Sequence, residues 1–339
     1  MSKIKIKEER LRKLVINNLE KAKVPNEHAS IVADVLIHAD LRGVNSHGVL
    51  RTKHYIKRIK AGGLNIEPYF KIEKTGPTSI KFDGDNGLGH VISNKSMYQA
   101  IKLAKKEGIG VVTAFNSSHC GALSYYVKQA TENNMIGIAM TQTNKIVTPF
   151  GGKNKFFGTN PIAFGVPSKK NDPIILDMST SNVAFGKILQ AREAGEEVPI
   201  DWGVDIQGNP TTDPYKIDSL LPISGPKGYG LGLMVDVLSG LLTGSNFGPH
   251  IKPMYDKLSD MRELGHFFMA LNPDFFTDND SFLLNVDKMI NELHKTPSIN
   301  GIDKVLVPGE PEQLKSKINS KEGIPIEKSV YHFLSGYTD

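Results

Sequence analysis

The stretch Ser224-Gly225-Pro226-Lys227-Gly228-Tyr229-Gly230-Leu231-Gly232 is where a phosphate-cradling glycine loop would be sought in this chain. In a doubly wound nucleotide-binding fold such glycines follow a strand with the spacing G-x-G-x-x-G, and an acidic residue stands about 20 positions on. Here they follow Ser-Gly-Pro-Lys instead of a strand, and the alternative, Gly87-Leu88-Gly89, lacks the third glycine. A dinucleotide held by this chain therefore calls for a non-Rossmann fold. The segment itself keeps two readings. Lys227, just before a helix N-terminus, favours a phosphate or carboxylate; the same glycines also suit a tight turn leading into a buried helix.

That helix carries Leu231, Met234, Val235, Leu238 and Leu242 up to Gly244, with few polar positions on any side, and is expected to be buried. Upstream, short β-rich runs at 70–72, 79–82, 110–115, 135–142, 161–166 and 174–178 alternate with helices at 92–106, 121–133 and 183–194. Downstream come a strand at 265–271, an amphipathic helix bearing Phe282, Leu283, Val286, Met289, Ile290 and Leu293, and a short helix opened by Pro311. The first sixty residues differ. Leu11, Leu14, Val15 and Leu19 recur at helical spacing, a second helix starts at Asn26 and closes at Gly43, and a third runs from about 48 to 61. The fold class is α/β in the α+β sense, with a helical N-terminal unit.

The chain has 339 residues, 39% hydrophobic and 23% charged, which suits a globular protein with room for two cores. Its 41 basic and 36 acidic side chains are interspersed, so there is no basic block with aromatics to form a nucleic-acid groove; the mild positive balance favours anionic metabolites. The single cysteine, Cys120, excludes an internal disulfide and a cysteine-based metal cluster. No apolar run approaches the roughly 20 residues of a membrane span, and the charged N-terminus lacks a signal-peptide core, so the expected compartment is the cytoplasm.

Chemistry concentrates in a few segments. His47, Arg51 and Tyr55 fall four residues apart, the spacing that stacks side chains on one helix face. An imidazole, a guanidinium able to grip a carboxylate through two hydrogen bonds and a phenol suit a small 2-hydroxy or 2-oxo acid; an exposed amphipathic face has the same spacing. His119, in Asn116-Ser117-Ser118-His119-Cys120-Gly121 between a strand and a helix, is the general acid/base candidate, with a helix-capping or core role as the alternative. Cys120 reads as a packed thiol. Phe157-Gly158-Thr159-Asn160-Pro161 and Leu176-Asp177-Met178-Ser179-Thr180 either line a cleft or form ordinary turns. The remaining histidines have no ligand spacing such as HExxH, so no metal site is expected.

Together, Ser46-His47-Gly48-x-x-Arg51, His119-x-Gly121, Pro149-Phe150-Gly151-Gly152, Gly158-Thr159-Asn160-Pro161, Asp177-Met178-Ser179 and Gly225-Pro226-Lys227-Gly228-Tyr229-Gly230 resemble, in order and over nearly the whole chain, the malate/L-lactate/L-sulfolactate dehydrogenase family, which is unrelated to classical lactate and malate dehydrogenases. Tyr55, Gly208 to Pro214, Asp236 to Gly240 and Leu271 to Phe276 also resemble its ureidoglycolate-oxidising branch. The resemblance implies a homodimer with NAD on a largely antiparallel, non-Rossmann sheet. It implies a helical domain at 1–68, joined by a C-terminal segment at about 245–339, and a nicotinamide-binding domain at 69–244.

By position it makes His119 the proton acceptor and gives Ser46, His47, Arg51, Tyr55, Thr159 and Asn160 to the substrate. Thr143, Asp177, Met178, Ser179, Lys227, Gly309 and Glu310 go to the cofactor. The implied reaction is hydride transfer from (S)-ureidoglycolate to NAD, giving oxalurate in allantoin nitrogen recovery. Malate, lactate or sulfolactate oxidation and imino-acid reduction are the alternatives within the family, and a non-redox ureidoglycolate lyase is the alternative outside it. Without a Rossmann landmark no acidic ribose-binding residue can be assigned, so the sequence leaves NADP open beside NAD.

Overall fold

The computed structural model describes residues 3–336. Its strands are β1 (Lys3–Ile6), β2 (Lys71–Lys74), β3 (Ser79–Asp83), β4 (Ile109–Ser117), β5 (Ile136–Thr141), β6 (Ile162–Val166), β7 (Ile174–Met178), β8 (Gly203–Val204), β9 (Ser219–Leu220), β10 (Leu264–Leu271) and β11 (Ile324–Glu327). Its helices are α1 (Glu8–Lys21), α2 (Asn26–Leu41), α3 (Thr52–Lys60), α4 (Gly89–Glu107), α5 (Ser124–Thr131), α6 (Phe185–Ala194), α7 (Pro226–Ser239), α8 (Asn279–Lys295), α9 (Glu310–Glu322) and α10 (Lys328–Ser335).

Seven strands form the main sheet in the order β2-β3-β4-β10-β5-β6-β7. Only β3 and β4 run parallel; every other neighbouring pair is antiparallel, as expected. Alternation along β4 and β5 sends Val112, Ala114 and Ala139 into the core, where Tyr126, Phe82 and Phe268 are completely buried. β10 lies between β4 and β5, although it belongs to the C-terminal segment expected to join the helical unit. That segment is therefore divided. Its later part does return to the N-terminus: β11 pairs with β1, and Ile324, Ile326 and Leu334 share a core with Leu11, Leu19 and Leu36.

Two local expectations need correction. The helix expected over 48–61 is two 3-10 turns, Asn45–His47 and Val49–Arg51, followed by α3, with Gly48 extended between the turns. Gly48 sits against α2, where a Cβ would collide with the Asp40 carboxylate, and Asp40 accepts the Val49 N–H at 2.7 Å. This long-range anchor overrides helical spacing. The apolar helix is α7, and it is only partly buried: Leu231 is 36% and Met234 50% exposed, as are Leu241 (53%) and Leu242 (56%) in the turn beyond it.

The antiparallel register also positions the site. Ser117 at the end of β4 pairs with Leu264, Thr141 at the end of β5 with His266, and Ile162 at the start of β6 with both Met140 and Met178. The segments after β4, β5 and β7 and before β6 and β10 consequently meet on one edge. His119, Thr143, Thr159, Asn160 and Ser179 all belong to those segments.

Candidate active site

Asp40 organises one wall. It is 1% exposed, accepts from Val49 N and Asn45 Nδ2, and burial raises its pKa to about 6. The turn it pins carries Ser46, His47 and Arg51. Ser46 Oγ meets His47 Nδ1 at 2.9 Å, and Arg51 Nε donates to the Ser46 carbonyl at 2.6 Å. The His47 ring stacks on His119 at 5.7 Å with the planes 22° apart. Arg51 Nη1 donates to the Tyr255 hydroxyl, leaving the Nη2 end of its fork available.

His119 is held from below. Tyr55, 2% exposed on α3, places its hydroxyl 2.8 Å from His119 Nδ1, and the Gly121 N–H approaches the same nitrogen at 3.3 Å. Nδ1 accepts the Gly121 N–H in one tautomer; in the other, the one that serves a base, Nδ1–H is donated to the phenol oxygen and Nε2 keeps its lone pair. Nε2 has no hydrogen-bond partner among the described residues, and His119 is part-buried rather than sealed in the interior. Burial chiefly, and then the charges of His47, Arg51, His90 and Arg262, hold the imidazole well below its usual pKa. It is therefore neutral and ready to accept a proton. Burial drives the Tyr55 phenol upward, so that group stays protonated.

A second wall is knitted from the strand ends. Thr143 Oγ1 accepts the Thr159 N–H at 2.9 Å, and Thr180 Oγ1 donates to the Thr159 carbonyl at 3.1 Å. Asn160, expected against substrate, is instead completely buried: Nδ2 donates to Gly232 O at 3.1 Å and Oδ1 accepts from Thr143 N at 3.4 Å. It ties β6 to α7 and supports Thr143 without reaching the cleft. Ser179 donates to Ser181 O, and Asp177 accepts the Ser124 N–H at 2.8 Å. Met178 is half-buried at the end of β7.

Lys227 is exposed in the first turn of α7, after the Gly225 cap. The glycine run does form a tight turn into α7: Gly228 packs so closely on the Ile223 carbonyl that a Cβ would collide, while the space beside Gly230 is open. Gly309 lies beside β7 and its carbonyl accepts from Arg42. The Glu310 carboxylate is taken up by His294, Lys304 and the Val307 N–H, so its side chain is spent within its own segment.

Arg262 is a residue the sequence reading did not single out. It is 2% exposed, and its charge acts on both His119 and Tyr55. The available signal was its place just before an apolar strand, Leu264-Gly265-His266-Phe267-Phe268, where a cation is costly unless something uses it.

A sequence model of the malate/L-lactate dehydrogenase family matches residues 6–335. Ureidoglycolate dehydrogenase (NAD(+)) of Escherichia coli strain K12 is 42% identical over 331 residues, 98% of this chain and 95% of that protein. Malate dehydrogenase of Pyrococcus abyssi is 42% identical over 96% of this chain and 92% of that one. The solved sulfolactate dehydrogenase of Methanocaldococcus jannaschii superposes with a TM-score of 0.93 at 40% identity, covering 98% of this chain and 96% of that chain. The chain belongs to the malate/L-lactate dehydrogenase family.

Proposed function

We propose that this chain oxidises (S)-ureidoglycolate to oxalurate, with NAD as hydride acceptor. The observation that carries the reading is His119: neutral, tied to Tyr55 through Nδ1 and without a hydrogen-bond partner at Nε2 among the described residues, with the Arg51 fork nearby. Arg51 grips the substrate carboxylate through Nη2 and the second Nη1 hydrogen, the first being given to the Tyr255 hydroxyl, and His47 and Ser46 border the same end. His119 Nε2 takes the hydroxyl proton, and Tyr55 steadies the resulting cation through Nδ1. The residues fit a dinucleotide: Lys227 and the α7 N-terminus offer positive charge to a diphosphate, the open space at Gly230 permits close backbone approach, and Thr143 and Ser179 offer hydroxyls. When bound, NAD supplies the acceptor for the hydride leaving the carbinol carbon. Relatives named as NAD(+)-dependent ureidoglycolate dehydrogenases support both choices.

The chain acts as a homodimer in the cytoplasm, within allantoin nitrogen recovery. Pairing is supported by the exposed row Leu231, Met234, Leu241 and Leu242, apolar surface that a monomer would leave in water. Among the described residues no helix is long and apolar enough to cross a membrane. Malate oxidation is the second reading, favoured by the Pyrococcus abyssi relative. Initial rates with ureidoglycolate, malate, lactate and sulfolactate, each with NAD and with NADP, test the proposal. NADH formation fastest with ureidoglycolate is expected; oxidation of malate or lactate alone, or release of urea and glyoxylate without NADH, overturns it.

A further inference from the structure

The charges around His119 do not balance. Arg51 and Arg262 both bear on it, and no carboxylate is among the groups that shift it. A single substrate carboxylate needs one fork, and Arg51 offers one. Arg262 is left over. Buried cations are ordinarily paired, and a guanidinium 2% exposed with no acid partner is costly unless a ligand completes it.

The way Arg262 is held shows what remains for a ligand. Nε donates to the Lys252 carbonyl at 3.2 Å and one Nη2–H to Asn144 Oδ1 at 3.1 Å. Neighbouring Glu263 is engaged by Lys252 at 3.0 Å. Arg58, the other buried arginine of this wall, gives Nη1 and Nη2 to the carbonyls of Met254 and Asp260, and its Nε is sealed in the interior without a partner. No Arg262 nitrogen is both sealed and unpaired, so Nη1 reaches accessible space. Burial, and then Arg58, lower its pKa to about 10, which leaves it charged at neutral pH.

Register puts Arg262 beside the reacting centre. Leu264 pairs with Ser117 across β10 and β4, and because the strands are antiparallel, Arg262 and His119 each lie two residues beyond that pair on the same edge. Asn144 lies three residues beyond Thr141, which pairs with His266. Three strand ends thus deliver the base, the second guanidinium and the amide that orients it.

Building on the proposed function, the geometry points to Arg262, oriented by Asn144, as the residue that reads the substrate's tail. It donates from Nη1 to an oxygen acceptor on the group attached to the carbinol carbon, while Arg51 holds the carboxylate. The substrate class is then a 2-hydroxy acid whose tail ends in a carbonyl or acid oxygen, the ureido carbonyl in the leading case. An alkyl tail leaves the guanidinium buried and unpaired, and sites built this way reject analogues lacking the acceptor far more strongly than apolar pockets reject a missing methylene.

The test compares affinities for product analogues with and without the tail oxygen: oxalurate against oxamate, and oxaloacetate against pyruvate. Each is measured by titration of the enzyme–NAD complex, in which a 2-oxo acid cannot be reduced, in the wild type, Arg262→Met and Asn144→Ala, with Tm recorded for each. The pair matching the substrate that the wild type oxidises is decisive. The wild type is expected to prefer the tailed member by at least about tenfold, and Arg262→Met to reduce that preference by roughly 10- to 100-fold, in line with a hydrogen bond to a charged group. Asn144→Ala should reduce it in the same direction and keeps the test valid if Arg262→Met does not fold. A residue that merely anchors the 252–262 loop would lower Tm and weaken both members alike. An unchanged preference ratio in the variants overturns the assignment. If ureidoglycolate is not oxidised but malate is, the proposed function fails and the oxaloacetate pair still decides the role of Arg262.

Discussion

Tyr55→Phe isolates one hydrogen bond at the reacting centre. Phenylalanine fills the same buried volume on α3 and removes only the hydroxyl 2.8 Å from His119 Nδ1. While His119 is neutral that bond joins two uncharged groups; once the substrate proton arrives it becomes a bond from a cation, worth about 1.5–3 kcal/mol against about 1 kcal/mol for the neutral one. Removing it therefore weakens the protonated state more than the resting state. The difference is about 0.5–2 kcal/mol, which at about 1.4 kcal/mol per tenfold in rate is a loss in kcat of roughly 2- to 30-fold. His119 already lies well below the ordinary imidazole pKa, and losing the acceptor at Nδ1 lowers it further. The acid limb of the kcat–pH profile should move to lower pH while the plateau falls. Steady-state oxidation rates across pH, with NADH binding as a control, measure both effects. An unchanged kcat together with an unmoved acid limb, or an acid limb that moves to higher pH, would refute the assignment of Tyr55 as the partner of the catalytic imidazole.

For His119→Ala, turnover should fall on the order of a hundredfold or more with NADH binding retained, and near-normal turnover removes His119 from the mechanism. In Arg51→Ala the Michaelis constant should rise more than kcat falls, and an unchanged constant argues against the carboxylate clamp. Gly48→Ala drives a Cβ into the Asp40 carboxylate, which should cost about 1–3 kcal/mol of stability and disturb both His47 and Arg51; wild-type urea midpoint and activity would show that the turn is not pinned as described. Acid should destabilise the fold. His38, His90 and His266 have pKa values near 3 and His47 and His54 near 4, all lowered by burial, so between about pH 6.5 and 4 the unfolded chain binds protons that the folded one refuses. Asp40 and Asp236, raised to about 6, pull the other way below pH 6, but five histidines outnumber two carboxyls. Urea midpoints should be flat above pH 6.5 and fall from there toward pH 5; a rise over that interval contradicts this balance.

The parts of the molecule legible in the sequence are those governed by local periodicity. Gly108 and Gly195 close helices with positive φ, and β4, β5, β6, β7 and β10 lie within a residue or two of the apolar runs that announced them. His119, Arg51, Tyr55 and His47 were found as a group because their chemistry is unusual, although the helix expected to align them is broken at Gly48. That break depends on Asp40 and cannot be read from spacing around Gly48. Asn160 and Glu310 looked available because their partners, Gly232 and Thr143 for one and His294 and Lys304 for the other, come together only on folding. Arg262 escaped for the opposite reason: in sequence it is one cation in a polar turn, and only the register of β10 against β4 makes it a neighbour of the base.

The place of β10 has a consequence for biosynthesis. β4 and β5 are separated by only a short helix in sequence, yet neither can complete its hydrogen-bond ladder until a strand from residues 264–271 is inserted between them. A nascent chain must emerge from the ribosome for well over a hundred residues with two apolar strand edges unsatisfied, a hazard for wrong pairing between neighbouring polysomal chains. Folding of the central sheet is therefore a late event, and shielding of the growing polypeptide by a holdase would matter most in that interval.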